Sequence, residues 1–361
     1  MLSFKQEFSY IDPLYIIFLC GSQYSVNDNT DKRNVLKTFL EQNLTGVRPI
    51  ILEEHFQFRV TDTKYLSYDD IFLKTLSEVE QLAALFAKRI IIIHESISTG
   101  SELGMFAINP DLINKICLLT PDTISIEENK VTNFIRLAFM KDKTKNISNI
   151  TYYPDLEVKR ISSDKSNYFT FFHNNKIGKN LGEKLIQFID ITNDNQKLSF
   201  VNSRFDKPND DTHKIAYHVD EANKVINVYI HANALKIQLF SLLFLNNLRN
   251  ECREKHPISK HVTCFEKTYK SIVKNTVSDL TGIEQNRYNL NIILNSSICN
   301  LREAIGYYIY LLQATGLIGL KCKDNPKLRK MTFTHELNNY KQFFANYIYE
   351  PAETAFGELM K

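Results

Sequence analysis

The chain has 361 residues, of which 43% are hydrophobic and 24% charged, with 11 Gly and 9 Pro. That length supports two domains with separate cores, and that balance excludes a largely disordered protein. The formal net charge is only +3, but residues 231–361 hold 17 Lys/Arg against 11 Asp/Glu, so the C-terminal part is basic and the remainder mildly acidic. A basic excess of this size permits nucleic-acid binding without requiring it.

No stretch reaches the ~20 apolar residues of a membrane helix. The most apolar segment, Leu235–Leu245, is broken by Lys236 and Gln238 and reads as a buried helix. Glu7 and Asp12 stand near the N-terminus, with no basic start and apolar run, so no signal peptide is expected. Six scattered cysteines suit reduced thiols. Together these features predict a cytoplasmic protein without a membrane segment.

In chain order, Leu14–Cys20 is a continuous apolar run ending at Gly21, the pattern of a parallel strand covered on both faces. Polar turn residues 25–31 lead into a predicted helix over Lys32–Asn43, and Val47–Leu52 predicts a second strand. Leu66–Phe86 has helical spacing and runs into a third strand, Arg89–His94. A short helix follows Glu95–Gly104, then a fourth strand at Lys115–Thr120, a helix at Val131–Lys141 and a fifth strand at Ile150–Tyr153. Strands alternating with helices predict a doubly wound parallel α/β sheet with right-handed crossovers. Its ligand would sit beyond the strand ends Cys20-Gly21 and His94-Glu95.

Residues 156–230 read as a linker and irregular α/β insertion, with strands at Lys197–Val201, Lys214–Val219 and Val225–His231. From 231 onward the pattern is mainly helical: Leu235–Arg253, His261–Leu280 and Leu301–Thr315. A β-hairpin follows, from Gly316–Cys322 and Met331–Thr334 around a turn at Asp324–Pro326. Helices followed by a basic hairpin resemble a winged-helix arrangement. The expected domains are therefore 1–155, 156–230 and 231–361.

The densest signal is Glu95-Ser-Ile-Ser-Thr-Gly-Ser-Glu102-Leu-Gly-Met-Phe-Ala107. One reading is purely structural: Thr99-Gly-Ser-Glu102 fits a capping box, with Glu102 bonding the N-cap amide. The other is chemical. Ser96, Ser98, Thr99, Gly100 and Ser101 leave room for a ligand at a strand end, and a carboxylate in a first helical turn is favoured in its ionised form. That form can attack a sugar C1′ or stabilise an oxocarbenium ion. Gly21 and Ser22 can present amides and a hydroxyl to a ribose or phosphate, with Cys20 beside them. Ser98 and Ser101 can bond a phosphate at the helix N-terminus, and Glu95 can hold ribose hydroxyls or protonate a leaving base. A full Gly-x-Gly-x-x-Gly fingerprint is missing, so ordinary dehydrogenase use of NAD is not expected.

Phe18-Leu-Cys-Gly21, together with Ile-Ile-Ile-His-Glu95 through Ser101-Glu-Leu-Gly-Met-Phe106, resembles the nucleoside deoxyribosyltransferase-like effector proteins of bacterial retrons over roughly residues 14–155. The resemblance implies a nucleoside deoxyribosyltransferase-like fold, Glu102 as nucleophile and Asn133 as a substrate contact. It implies an anti-phage toxin that cleaves NAD or a related nucleotide. NAD would be a substrate, with no bound cofactor. The implied partners are a retron reverse transcriptase and multicopy single-stranded DNA/RNA, and the implied assembly is a homo-oligomer. Ile97-Ser98 stands where the family has Pro-Gly, and Lys88-Arg89 replaces an acidic residue before the third strand. The alternatives are a nucleotide-sensing or DNA-binding module without turnover, and a nucleoside deoxyribosyltransferase.

Leu103, Met105, Phe106 and Ile108 surround the helix after Glu102 with apolar surface, which calls for cover either by a symmetric partner or by residues 156–230 of the same chain. Lys321, Lys323, Lys327, Arg329 and Lys330 would suit phosphate contacts from a wing. Cys252, His256, His261 and Cys264 do not follow a familiar zinc spacing, and no metal site is expected. The stripe Ile305–Leu312 with Tyr307, Tyr308 and Tyr310 reads as core.

Overall fold

The computed structural model describes residues 1–21, 24, 28, 31–57, 66–67, 69–121, 140–141, 144–145, 149–153, 157–162, 165–169, 176–190, 196–203, 213–294, 299–322 and 327–350. In chain order the elements used below begin with β1 (Glu7–Tyr10), β2 (Tyr15–Cys20), α1 (Lys32–Asn43), β3 (Val47–Ile50) and α2 (Leu76–Phe86). Next come β4 (Arg89–Ile93), α3 (Ile97–Ala107), β5 (Ile116–Pro121), β6 (Ile150–Tyr153) and α4 (Lys179–Ile189). Then follow β7 (Gln196–Asn202), β8 (Lys214–Asp220), β9 (Val225–Ile230), α5 (Ala232–Leu242) and α6 (Asn246–Arg253). The last are α7 (Ile258–Thr281), β10 (Asn289–Leu294), α8 (Leu301–Ala314), β11 (Ile318–Lys321) and β12 (Lys330–Phe333).

The chain forms two compact units. One comprises Leu14–His55 with Ala83–Thr192, the other Met1–Pro13, Phe56–Leu82 and Asn193–Lys361. These limits cut across the expected divisions at 155 and 230, because the second unit takes strands and turns from three separate parts of the chain.

The first unit is built on a five-stranded sheet in the order β6-β5-β4-β2-β3, and every pair is parallel. Alternate strand residues face opposite sides. Ile17, Leu19, Ile91 and Ile93 pack with Leu36 and Leu40 of α1 and with Leu181, Leu185 and Ile189 of α4. On the other side Phe18 meets Phe106 of α3 edge to face, with ring centroids 6.3 Å apart. Helices thus cover both faces, as the continuous apolar runs of β2 and β4 require. The sheet order reverses at the β2–β4 pair, where Cys20 stands opposite Ile92. Ligands of open α/β sheets bind beyond the carboxyl ends at such a reversal. Lys115 Nζ lies 3.0 Å from the carbonyl oxygens of Leu85 and Ala87, a cation on the open carbonyls at the end of α2.

The expected helix over Leu66–Phe86 is shorter. Leu66–Ser67 is a strand, Asp69–Ile71 a 3₁₀ turn, and Phe72 has a φ of 66°. The helix begins at Leu76 because Thr75 and Glu78 close a capping box: Thr75 Oγ1 accepts from Glu78 N at 3.2 Å, and Glu78 Oε2 accepts from Thr75 N at 3.3 Å. The helix expected over Leu235–Arg253 is likewise split into α5 and α6. Of the helix expected at Val131–Lys141, residues 131–139 lie outside the described residues and Met140–Lys141 is a strand.

The second unit holds a mixed five-stranded sheet, β10-β9-β8-β7-β1. β10 runs parallel to β9, β9 antiparallel to β8, β8 parallel to β7, and β7 antiparallel to β1. The three strands expected within 196–231 are therefore core members of this unit. The helices α5, α7 and α8 supply most of its interior, and Ile305–Leu312 of α8, including Tyr307, Tyr308 and Tyr310, is buried. The hairpin β11–β12 forms with Lys321 opposite Lys330.

Helix α5 is buried all round and carries polar side chains into that interior. Lys236 is fully buried and pairs with Asp12 at 2.9 Å. Gln238 accepts from Tyr269 Oη at 2.6 Å and donates to Tyr347 Oη at 3.1 Å. Removing one partner of a buried ion pair leaves an uncompensated charge. Lys236→Met should therefore lower unfolding free energy by about 3–5 kcal/mol. Adding Asp12→Asn should recover much of that loss in a urea-denaturation double-mutant cycle. Additive single effects would show that the two groups do not depend on each other.

Candidate functional site

At the reversal of the parallel sheet, β4 ends at Ile93, and His94 continues the ladder by donating its N–H to Leu119 O at 2.7 Å. The chain turns through Glu95 into α3, whose N-cap is Ser96. Thr99 N donates to Ser96 Oγ at 3.4 Å and Ser96 N donates to Thr99 Oγ1 at 3.2 Å, which closes a capping box. The cap is thus one turn earlier than the Thr99–Glu102 pattern suggests. Glu102 falls in the second turn of α3 and the first turn holds no acidic residue, so the helix-dipole argument for its ionisation is weaker than expected. Capping does not account for Glu102.

Thr99, Leu103 and Phe106 form the buried stripe of α3. Glu102 borders that stripe at i+3 from Thr99 and i−4 from Phe106, half-buried with Oε2 shielded from solvent. Side chains on a helix lean toward its N-terminus, so this carboxylate leans toward the strand end. Ser98 and Ser101 are exposed. Ser98 Oγ lies 2.7 Å from Ser96 Oγ, and Ser101 Oγ donates back to Ile97 O at 3.1 Å. Gly100 leaves a gap beside His94, whose Cε1 would lie 3.4 Å from an added Cβ.

Glu95 is ion-paired with Lys32, the first residue of α1. The next residue, Arg33, was not among the residues expected at the site. It is only 3% exposed and lies across Gly21, where an added Cβ would stand 2.9 Å from Arg33 Cδ. Arg33 donates to Glu53 Oε1 at 2.9 Å, its backbone N–H donates to the N-cap Asp31 at 2.8 Å, and its guanidinium sits 4.9 Å from the Tyr24 ring centre. Two cations in a first helical turn oppose the helix dipole. Asp31, Glu53 and Glu95 offset them. Burial, with the neighbouring Glu54 carboxylate 2.9 Å away, pushes the Tyr24 phenol up. No periodicity marks Arg33. The only sequence signal was a charged pair directly after a capping Asp.

Cys20 is buried at the end of β2, with Gly21 after it. Ser22, Asn133 and Lys323 lie outside the described residues. In the second unit Lys321, Lys327 and Lys330 are exposed. Arg329 is not available as a surface phosphate contact: it is 3% exposed, forms a β-bridge with His256, and has Nη2 3.9 Å from Asp70. His261 Nε2 donates to the Arg329 carbonyl at 2.9 Å, so this histidine holds the hairpin in place. Among the described residues, no three His, Cys, Asp or Glu side chains converge as metal ligands.

The family model for the STM3845 retron effector protein matches residues 29–320. The chain belongs to this retron effector family. The matched span includes Glu95, Glu102 and both cations of α1. No curated protein matches the chain. Among the described residues, no helix is long and apolar enough to cross a membrane.

Proposed function

We propose that this retron effector is an anti-phage toxin that cleaves the N-glycosidic bond of NAD or a related nucleotide, with Glu102 as nucleophile. The observation that carries this reading is the pair of carboxylates at the sheet reversal: Glu102 outside the helix cap, and Glu95 held by Lys32. A Glu102 oxygen attacks C1′ as the C1′–N bond breaks, and the electron pair leaves with the base. Nicotinamide departs from a pyridinium as a neutral molecule and needs no proton. A Glu95 ion-paired with Lys32 suits that leaving group, because it accepts hydrogen bonds from ribose hydroxyls rather than donating a proton. A neutral nucleoside would need an acid at the base.

Glu102→Gln should abolish nicotinamide release from NAD, by ~10³-fold or more, the scale on which loss of a nucleophile acts. Its melting should stay close to wild type. Ser96→Ala is the stability control and should cost ~0.5–2 kcal/mol as a lost cap. Full turnover by a folded Glu102→Gln protein would sink the assignment. Transfer of the sugar to an added base would make the enzyme a deoxyribosyltransferase instead.

The exposed lysines of the hairpin support binding of the retron's single-stranded DNA/RNA, alongside association with the reverse transcriptase. Lys321 and Lys330 stand directly opposite one another. Like charges so placed repel, and a phosphate between them removes that cost. Lys321→Glu with Lys330→Glu should weaken binding of a single-stranded oligonucleotide. It should also flatten the slope of log affinity against log salt by about 0.7 per lost phosphate contact. Unchanged affinity and slope would rule out the hairpin.

Self-association of α3 is the third part of the proposal. Leu103 and Phe106 are buried within the chain and Met105 is half-buried, yet Ile97 is 91% and Ile108 84% exposed. These two are three helical turns apart, on one face with Ser101 and Gly104 between them. At micromolar concentration the protein should sediment as a dimer or larger, and Ile97→Asp with Ile108→Asp should shift it toward monomer. A wild-type monomer that releases base at full rate would exclude a shared site.

A further inference from the structure

Glycosyl transfer to Glu102 is only half of a hydrolysis. The ester must then be opened by water, and neither Glu95, engaged with Lys32, nor Glu102 itself, as leaving group, is free to take the water's proton. His94 stands at the end of β4, immediately before Glu95, with its ring against Gly100 of the helix that carries Glu102.

The hydrogen bonds around Thr99 set the state of that imidazole. Thr99 Oγ1 has one proton and donates it to Ser96 O at 2.7 Å. Its remaining capacity is as an acceptor, from Ser96 N at 3.2 Å and from His94 Nδ1 at 3.2 Å. His94 therefore carries its proton on Nδ1 and has its lone pair on Nε2. Burial lowers the His94 pKa from its ordinary value, which keeps the ring neutral and Nε2 unprotonated at neutral pH. The ring is also fixed in place. Its backbone is in the β4–β5 ladder, its Nδ1 edge is on Thr99, and Cε1 faces the open side of Gly100. Nε2 thus lies beside the first turns of the helix that carries Glu102, and that carboxylate leans back toward the same end.

We infer that His94 is the general base of the second half-reaction, a role that rests on the N-glycosidase reading above. Nε2 accepts a proton from the attacking water as its oxygen bonds to C1′. The C1′–Glu102 ester bond breaks, Glu102 leaves as a carboxylate, and the imidazolium returns the proton to solvent. The neighbouring hydroxyls are not bases at neutral pH, and Ser98 and Ser101 are already bonded to Ser96 and Ile97.

His94→Asn separates this role from a structural one, because the Asn amide can still donate to Thr99 while Nε2 is lost. In rapid-quench measurements with NAD, His94→Asn should release about one nicotinamide per site in a burst and then turn over ~10²-fold more slowly than wild type. It should also accumulate a glycosyl adduct on Glu102 detectable by intact-protein mass spectrometry. His94→Gln, which disturbs the Thr99 contact and also lacks the base, should show the same burst and slow phase. An unchanged steady-state rate, or loss of the burst together with turnover in a variant that melts like wild type, would overturn the role of His94. Absence of nicotinamide release by the wild-type protein would instead overturn the N-glycosidase reading on which it rests.

Discussion

The hydrogen-bond reciprocity between Ser96 and Thr99 sets the geometry of the whole candidate site. It decides where α3 begins, and so which residues of the Glu95–Ala107 segment face the sheet. With the N-cap at Ser96, Thr99, Leu103 and Phe106 become the buried stripe and Phe106 reaches Phe18. Glu102 then borders the stripe with one oxygen shielded. A cap at Thr99 would have made Glu102 a capping group. The same hydroxyl that closes the box also accepts from His94, so helix start and imidazole tautomer depend on one atom, Thr99 Oγ1.

Charge at this end of the sheet is arranged against the local helix dipole. Lys32 and Arg33 open α1, where cations are disfavoured, and each is held by an acid from a different part of the unit, Glu95 after β4 and Glu53 after β3. The arrangement ties three strand ends together. It also brings a buried guanidinium against the backbone of Gly21, a close approach that any side chain at that position would obstruct. In the second unit the same principle operates in a drier setting. Lys236 enters the core on an all-round buried helix and is matched by Asp12, and Gln238 is matched by two tyrosine hydroxyls. Arg329, drawn into the base of the hairpin, leaves Lys321 and Lys330 as the exposed opposed pair.

The five strands of the parallel sheet and the helix Lys32–Asn43 were legible in the sequence. A continuous apolar run bounded by turns is local information, and so is amphipathic spacing. The strand ends at Cys20-Gly21 and His94-Glu95 followed from the same runs, and they meet at the reversal of the sheet. The Thr75–Glu78 capping box and the i, i+4, i+8 spacing of Leu181, Leu185 and Ile189 in α4 were present in the sequence too. Longer helical periodicity around the first and a polar surrounding around the second mask these signals.

What only the tertiary structure decided is non-local. β1 pairs with β7, with Tyr10 opposite Gln196, so a unit assembled from three chain segments has no signature at any one boundary. Nothing near Arg33 or Arg329 in the sequence says that either is buried, and the apolar run around Lys236 does not say what neutralises it, since burial of a charge depends on a partner brought from elsewhere: Glu53, Asp70 and Asp12. Of the two hydroxyls that can cap α3, Ser96 and Thr99, the local Thr99–Glu102 pattern points to the second, and the structure uses the first. The packing of Phe106 against Phe18 favours the first, because it is the register that turns the apolar stripe toward the sheet.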